Sequence, residues 1–308
     1  MPSPKLPLLC TTMMFLIGAA HAQPAQPKPT MAWAPKPVQL TPYAGPNRPH
    51  WKLSEILKKH AGRQDWSETL VETPDFIGAY IAMAPGGKTK KIFYSDDRVF
   101  WVVQAGQIRF SIEGQAPFVA AKGSLVQVPY RVPFQLETVG NVPSLRLEVR
   151  PPEPPIYPIA EAPDPAPGVR YIRASFKEAP GTYDDVNKPH LDFQKDVVQA
   201  GARPPKEFLE DDRLAVEIFR GPGVPTPPST AVGHMRANYP GFWFVLEGQE
   251  EFLFEGEPLI RAQQGDVVFK PVGRWHRATA AGSGTSTRLA INARPGNLHW
   301  VPESAGVK

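Results

Sequence analysis

The stretch GDVVFKPVGRWH, residues 265–276, decides how this chain folds. It combines an apolar run rich in valine with two glycines, a proline and a closing histidine, His276. Short runs of β-branched and aromatic residues punctuated by glycine are typical of buried strands. The stretch therefore predicts β structure, and it raises the question whether His276 is a metal ligand.

An earlier segment repeats this region at a constant offset along the chain. Residues 100–134 align without a gap with residues 242–276, and 12 of the 35 aligned positions are identical. The shared residues include Phe100/Phe242, Trp101/Trp243, Gly106/Gly248, Gly114/Gly256, Gly123/Gly265 and Pro129/Pro271. Because glycine adopts a positive φ easily, Gly106 and Gly248 are predicted to join consecutive strands. The chain therefore holds a duplicated all-β unit, each copy a small barrel or sandwich.

The spacing of the closing motif resembles a known family. Gly265, Pro271, Gly273 and His276 meet the pattern G-x5-P-x-G-x2-H, the second motif of the cupins. The resemblance covers residues 80–150 and 210–295, so the chain resembles a bicupin. It implies an all-β fold of two cupin-type barrels in tandem, each a double-stranded β-helix or jelly roll, with a proline-rich N-terminal extension.

Proline supplies the boundaries between these units. The 308 residues include 38 prolines, clustered at 23–49, 151–167 and 222–228, and such segments cannot be helix interiors. We predict a signal peptide at 1–22 and a proline-rich extension at 23–62 with a short helix at Leu53–His60. An N-terminal barrel without metal ligands follows at 63–155, then a linker at 156–205. The C-terminal barrel at 206–308 includes the candidate pocket and a C-terminal strap.

The first 22 residues predict export. They carry one positive charge at Lys5, the apolar core MMFLI and the small-residue ending Ala20-His21-Ala22, as secretory signal peptides do. No later run approaches the roughly 20 apolar residues that span a bilayer. The single cysteine, Cys10, lies inside the signal, so the mature chain is expected to contain no disulfide and no thiolate ligand. We predict a periplasmic or secreted protein, cleaved near Ala22, without a membrane span.

The charge balance argues against nucleic acid as a partner. The formal net charge is +4, and removing residues 1–22 takes away Lys5 and no acid, which leaves 4 − 1 = +3. The basic residues are scattered and form no block that could follow a phosphate backbone. The expected partner is a small-molecule ligand.

The resemblance also implies where metal ligands belong. The first cupin motif, H-x-H-x(3,4)-E-x6-G, supplies two histidines and a glutamate, and the second motif adds a histidine. Counting back from Gly248 places the first three at His234, Arg236 and Gly241, so only His234 and His276 remain as metal ligands in the second unit. In the first unit the four positions hold Ile92, Tyr94, Val99 and Phe134.

This ligand set predicts a weak metal site. A catalytic iron, manganese or zinc usually needs three protein ligands, and a guanidinium does not deprotonate to become one. The candidates for a missing third ligand, none with a spacing that recommends it, are Glu217, Glu251, His190 and His299.

Strand alternation favours a different use of the same positions. His234, Arg236 and Trp243 are expected to face the barrel interior, with His276 opposite. An arginine beside two imidazoles and an indole predicts a receptor for a carboxylate or a phosphate, with Arg236 as the anion clamp and an aromatic wall. The structural alternative pairs Arg236 with a surface acid such as Asp266, leaves His276 bonded to backbone and uses Trp243 only as core.

The first unit has a different composition at the corresponding places. They are aromatic and almost uncharged, which predicts a filled structural barrel, with a small apolar pocket as the alternative; the residues are Tyr94, Phe100, Trp101, Tyr130 and Phe134.

Three functions follow as hypotheses. The first is an exported bicupin that binds a small, carboxylate-type anion in the C-terminal barrel without a cofactor. The second is an enzyme: a metal-dependent oxygenase, isomerase or decarboxylase, or a metal-free lyase or isomerase with His276 as general base. The third is assembly, in which Phe242, Phe244 and Leu246 pack barrels together and the chain forms a homodimer. The sequence leaves open whether the protein is an enzyme.

Overall fold

The computed structural model describes residues 30–201, 205–293 and 299–302. The chain divides into two compact units, Met1–Trp33 and Ala34–Lys308. Of the first unit only residues 30–33 are described, and they form no helix or strand. The predicted signal peptide, with Lys5, Cys10 and the cleavage site at Ala22, lies outside the described residues. The barrels belong to the second unit.

Antiparallel strands dominate the second unit, as the sequence predicts. In the described chain, the N-terminal barrel has a six-stranded sheet facing a three-stranded one. Numbered in chain order, the larger sheet has the spatial order β10 (His190–Asp192), β7 (Ser124–Val128), β4 (Val99–Ala105), β9 (Ser144–Arg150), β3 (Ile77–Met83) and β2 (Trp66–Glu72). The smaller sheet has the order β6 (Phe118–Ala121), β5 (Gln107–Ile112) and β8 (Phe134–Val139).

The C-terminal barrel follows the same plan. Its six-stranded sheet has the order β1 (His50–Trp51), β17 (Val267–Lys270), β14 (Gly241–Glu247), β19 (Thr285–Ala293), β12 (Leu214–Pro222) and β11 (Lys206–Glu210). The opposing sheet, as far as the chain is described, has the order β16 (Ile260–Gln263), β15 (Gln249–Phe254), β18 (Trp275–Ala281), β13 (His234–Arg236) and β20 (His299–Trp300).

The repeat seen in the sequence is a repeat of strands. β4, β5 and β6 recur as β14, β15 and β16 at the offset of the sequence repeat, and their bounds agree to the residue. The turns between the first two strands of each set contain Gly106 and Gly248, with φ of 68° and 73°. A side chain at either glycine would collide with backbone at the start of β9 or β19, since the added Cβ comes within 2.6 Å of the Pro143 or Thr285 carbonyl oxygen. The turns thus require glycine for both conformation and space.

The largest apolar cluster lies between the two barrels. Strand alternation sends Phe242 and Phe244 of β14 out of their own barrel, where they meet Phe76 and Tyr80 from the N-terminal one. The ring centroids of Phe76 and Phe242 are 5.6 Å apart, and the Tyr80 hydroxyl donates to the Gly265 carbonyl at 2.6 Å. The larger sheets therefore pack face to face.

This packing changes one expectation. Phe242 and Phe244 are fully buried and Leu246 is 3% exposed, all within a single chain. The three residues do pack barrels together, but they do so inside one molecule. They offer no exposed surface for a homodimer, so charging Phe244 would test folding and not assembly.

Each barrel also receives a strand from outside its own repeat. β1, from the proline-rich extension, pairs with β17 of the C-terminal barrel. β10, from the range predicted as a linker, pairs with β7 of the N-terminal barrel. The extension from Ala34 onward is docked: the Lys36 ammonium pairs with Glu255 at 2.8 Å, and Arg274 donates to the Thr41 carbonyl at 2.7 Å.

Helical structure is sparse in the described residues. Helix α1 (Leu53–Lys59) lies where the sequence predicts a helix, and Gln194–Gln199 forms a π-helical turn. Asp266 caps α1, because its carboxylate accepts from the Leu53 backbone N–H at 2.9 Å. No helix in the described ranges is long and apolar enough to cross a membrane.

The contact between the barrels is testable by truncation. Phe244→Ala is expected to lower the free energy of unfolding by about 3–5 kcal/mol, because it opens a cavity in a fully buried cluster. The matched control is Phe176→Ala, at a ring that is 45% exposed, with an expected loss of about 1 kcal/mol or less. Urea denaturation of both variants measures the difference. Equal losses would contradict the assignment of Phe244 to the main core.

Candidate functional site

A pocket of about 180 Å³ opens inside the C-terminal barrel, between its two sheets. The six-stranded sheet lines it from β12, β14, β17 and β19, and the opposing sheet lines it from β13, β18 and β20. Its wall includes Glu217, Phe219, His234, Arg236, Trp243, Lys270, Ala290, Asn292 and His299. The structure therefore places three of the four predicted ligand-binding residues in one pocket wall, and the fourth, His276, against them.

The turn before β18 orients His276. Gly273 has a φ of 74°, and its backbone N–H donates to the Arg236 carbonyl at 2.8 Å, which ties the turn to β13. The His276 Nδ1 lies 2.9 Å from the Arg274 carbonyl oxygen. Since a carbonyl only accepts, Nδ1 carries the proton and Nε2 is left as an acceptor. Nε2 is buried and has no hydrogen-bond partner among the described residues.

Three imidazoles come together through strand pairing. His234 of β13 lies directly opposite His276 of β18, and Arg236 lies directly opposite His299 of β20. The His234 ring centroid is 4.5 Å from that of His276 and 4.7 Å from that of His299. His276 is 1% exposed, whereas His299 lies on the exposed side of the group.

These imidazoles are neutral near pH 7. Burial, together with the charges of His299 and Lys270, lowers the pKa of His234 from 6.5 to about 3. Burial and the charge of Arg236 lower the pKa of His299 to about 4, and burial holds the pKa of His276 well below its usual range. Neutral imidazoles offer one donor and one acceptor each and add no charge to the pocket.

Arg236 is a pocket cation that forms no ion pair with any of the described residues. It is 7% exposed, and its Nε has no hydrogen-bond partner in the part of the chain that is described. Burial lowers its pKa to about 10, and the charge of Glu217 across the pocket opposes that shift. The neighbouring Arg288 is engaged by Glu250 at 3.1 Å.

The structural alternative, in which Arg236 pairs with Asp266 at the surface, was wrong. Asp266 is not a surface acid: it is 6% exposed and accepts hydrogen bonds from His50, at 2.8 Å, and from the backbone of Leu53. It ties the N-terminal extension to the barrel. In the described ranges, Arg236 forms no ion pair with it.

Lys270 occupies the space that the family's glutamate would need. It faces the interior on β17 and is 3% exposed, and its ammonium nitrogen lies 2.5 Å from Asn292 Oδ1 and 4.5 Å from the centre of the Trp243 ring. Gly241 lies between these two residues in strand register. A Cβ added at Gly241 would come within 3.0 Å of Lys270 Cε and 2.9 Å of Asn292 Oδ1.

A divalent metal does not fit this donor set. The glutamate position holds a glycine whose space Lys270 and Asn292 fill, and the second histidine position holds a guanidinium. Among the described residues, no three His, Cys, Asp or Glu side chains are arranged to hold a metal ion. The glutamate position holds no carboxylate and a guanidinium stands at a histidine position, so the pocket prefers an anion to a cation.

Of the four candidates for a third metal ligand, two lie at the pocket and two lie elsewhere. His299 and Glu217 line the pocket. Glu251 accepts from Arg261 and Thr226 at another part of the barrel, and the His190 ring stacks on Phe118 in the N-terminal barrel. The third imidazole therefore comes from β20, far along the chain from either motif.

Sequence reasoning missed Lys270, although the residue lies in GDVVFKPVGRWH. The available signal was alternation: Val268 belongs to the core inside the barrel, so Lys270, two residues on, faces the same way. Asn292 carried no such signal, because it lies in no motif of the family, whereas His299 was among the four candidates for a third ligand.

The motif positions of the N-terminal barrel are filled by core side chains. Tyr94, Val99 and Phe134 are buried in its core, and Ile92 packs against it. One expectation needs correction, because the interior of this barrel contains charged side chains. Arg146, the counterpart of Arg288, is 3% exposed and lies 3.5 Å from Glu148, which accepts from the Trp101 indole at 2.7 Å.

No family model and no curated protein matches the sequence. Solved structures do match. A cupin 2 conserved barrel domain protein from Leptotrichia buccalis aligns with a TM-score of 0.51 and 11% identity, over 80% of this chain and 96% of its own. The chain has the cupin fold, present twice.

Two enzymes of known structure align comparably with this bicupin. Salicylate 1,2-dioxygenase from Pseudoaminobacter salicylatoxidans gives a TM-score of 0.54 at 13% identity, over 78% of this chain and 80% of that one. An oxalate decarboxylase gives 0.50 at 12% identity, over 84% and 82%. At such identities the likeness establishes the fold alone.

The depressed pKa values predict how the bicupin responds to acid. Below about pH 6.5 the unfolded imidazoles bind protons, whereas folded His234 and His299 do so only near pH 3 and 4. The unfolded state thus binds more protons, and the free energy of unfolding falls as the pH drops from 6.5 to 4. Denaturation at pH 7 and pH 4.5 should show a loss that is smaller in His234→Gln, by about 2–3 kcal/mol. Identical losses in both proteins would contradict a buried neutral His234.

Proposed function

We propose that this protein is an exported bicupin whose C-terminal barrel binds a small carboxylate-type anion. The observation that carries the proposal is Arg236, a guanidinium that is 7% exposed at the pocket wall and forms no ion pair within the described chain. Burying an unpaired charge is costly, and a ligand carboxylate offsets that cost through charge-assisted hydrogen bonds. Arg236 is therefore the anion clamp.

The rest of the pocket supports a small ligand. Its volume of about 180 Å³ is below the roughly 300 Å³ at which typical ligand sites begin. Trp243 forms an apolar wall, 5.4 Å from the His276 ring centroid. His234 and His299 supply polar contacts that carry no charge, so the positive potential of Arg236 and its neighbours decides the sign of the ligand.

An enzymatic role is the second candidate. His276 Nε2 is a buried acceptor without a partner among the described residues. This free acceptor favours a role for His276 in taking a proton from a ligand. Its pKa lies well below the usual range because of burial, however, and an efficient general base has a pKa near the working pH. The same geometry therefore supports His276 more strongly as a hydrogen-bond acceptor than as a base.

The clamp is tested by removing its charge. Arg236→Leu is expected to weaken binding of small carboxylates, for example acetate, oxalate and pyruvate, by about 2 kcal/mol or more, roughly 30-fold in Kd. Isothermal titration calorimetry measures this against the matched control Arg261→Leu, in the same barrel but 75% exposed and outside the pocket. Equal affinity in wild type and Arg236→Leu would remove Arg236 from the site.

A second experiment, in which a chelator removes any bound metal, distinguishes this proposal from metal-dependent binding. After dialysis against a strong chelator, wild-type protein should bind the same carboxylate with an unchanged Kd, because the clamp is a guanidinium. Elemental analysis of protein purified without added metal accompanies the titration. Stoichiometric iron, manganese or zinc, together with lost binding after chelation, would favour the enzyme hypothesis.

Export rests on the predicted signal peptide, residues 1–22. Expression of the full chain in a Gram-negative host should yield a periplasmic protein whose first residue is Gln23, as read by N-terminal sequencing. A cytoplasmic protein that keeps Lys5 and Cys10 would contradict this part of the proposal.

A further inference from the structure

The pocket contains an amine that anion binding leaves unused. Lys270 projects from β17 into the pocket and is 3% exposed. Its one hydrogen-bond partner among the described residues is the neutral amide of Asn292, and it forms no ion pair there. A buried lysine without a carboxylate partner is unusual, because an ammonium ion in such a place is poorly solvated.

The surroundings favour the uncharged form of this amine. Burial is the main cause that holds the pKa of Lys270 well below its usual range, and the charge of Arg236 lowers it further. Glu217 and Arg288 act on the same group, the first raising its pKa and the second lowering it. His234 and His299, which line the pocket, and His276, which packs against His234, are neutral near pH 7 and provide no counter-charge.

An uncharged lysine is a nucleophile. Lysines activated in proteins are desolvated or placed beside another cation, and they attack carbonyl groups to form imines. Lys270 meets both conditions, since it is buried and shares the pocket with Arg236.

We propose that Lys270 forms an imine with the carbonyl carbon of a small oxo acid, such as a 2-oxo acid, whose carboxylate is held by Arg236. This inference rests on the proposed function, because it needs the same clamp. Arg236 recognises the carboxylate of the ligand. Lys270 selects ligands in which a carbonyl group lies next to that carboxylate. An acid without a carbonyl would bind without reacting.

The reaction balances without a further reagent. The lone pair of the Lys270 nitrogen attacks the carbonyl carbon, a C–N bond forms, and the carbonyl oxygen becomes a hydroxyl group. That oxygen then leaves with both amine hydrogens as water, and the C=N bond remains. No electron is transferred to or from the protein, so the step needs no oxidant or reductant.

The pocket has room for this chemistry because Gly241 has no side chain. Its added Cβ would lie 3.0 Å from Lys270 Cε. The same Cβ would come within 2.6 Å of the Ile291 backbone carbonyl oxygen, so Gly241→Ala would displace strand β19 as well as the lysine stem. Substitution at Gly241 is therefore no selective probe of the amine.

Reductive trapping tests the proposal on the full-length protein. Wild type is incubated with pyruvate and sodium cyanoborohydride, which converts an imine irreversibly into a secondary amine, and the modified lysine is located by peptide mass mapping. We expect one adduct per chain, at Lys270, formed at least tenfold faster than at Lys122, an exposed lysine of the N-terminal barrel. Excess acetate should slow it, because acetate occupies the clamp and has no electrophilic carbonyl.

Matched variants complete the test. Lys270→Met should abolish the mapped adduct and Lys122→Met should leave it unchanged, while Arg236→Leu should slow it. Mapping in wild type does not depend on the variants, so a variant that fails to fold leaves the test intact.

The outcomes distinguish the two proposals. If calorimetry shows that pyruvate binds and that Arg236→Leu weakens it, but trapping leaves Lys270 unmodified, the imine is overturned and the anion site stands. If no carboxylate binds, the proposed function itself fails. Adducts spread evenly over exposed lysines would also overturn the imine, because they would show no role for the pocket.

Discussion

The apolar contact between the two larger sheets is the constraint from which the site follows. In a strand, neighbouring side chains point to opposite faces, so committing Phe242 and Phe244 to the contact with the other barrel forces Trp243 into the interior. The same alternation on β17 commits Val267 to the contact and sends Val268 and Lys270 inward. The fold thus decides which residues can meet a ligand. The docked extension reinforces this arrangement, because Asp266 joins β17 to His50 and helix α1.

The chemistry of the pocket is an inversion of the cupin metal site. A site built for a divalent cation combines imidazoles with a carboxylate. Here the carboxylate position is Gly241, Lys270 and Asn292 fill the space above it, and Arg236 replaces an imidazole. The remaining imidazoles are kept neutral by burial and by nearby positive charge. The loss of the carboxylate and the presence of Arg236 act in one direction, since each makes a cation less stable and an anion more stable at the same point.

Much of the fold could be predicted from the sequence, and less of the site. The constant offset of the repeat and the glycines at 106 and 248 predicted two β units and their turns correctly, because both depend on local backbone geometry. His234, Arg236 and Trp243 were predicted to share a pocket by alternation within single strands, and the structure brings them together. Asp266 was assigned to the surface wrongly, because its burial depends on His50 and Leu53, which lie near the other end of the chain. The charge inside the first barrel was missed for a similar reason: Arg146 and Glu148 lie outside both motifs.

The sequence by itself determined the repeat, the strand periodicity and the loss of the family's ligand residues, since each is written in residue types at fixed spacings. Only the tertiary structure decided what replaced those ligands. Lys270, Asn292 and His299 come from three strands, β17, β19 and β20, and their meeting point depends on the order in which the strands pair. That order is set by the burial of apolar faces between sheets and between barrels, an interaction between residues distant in the chain that no local pattern encodes.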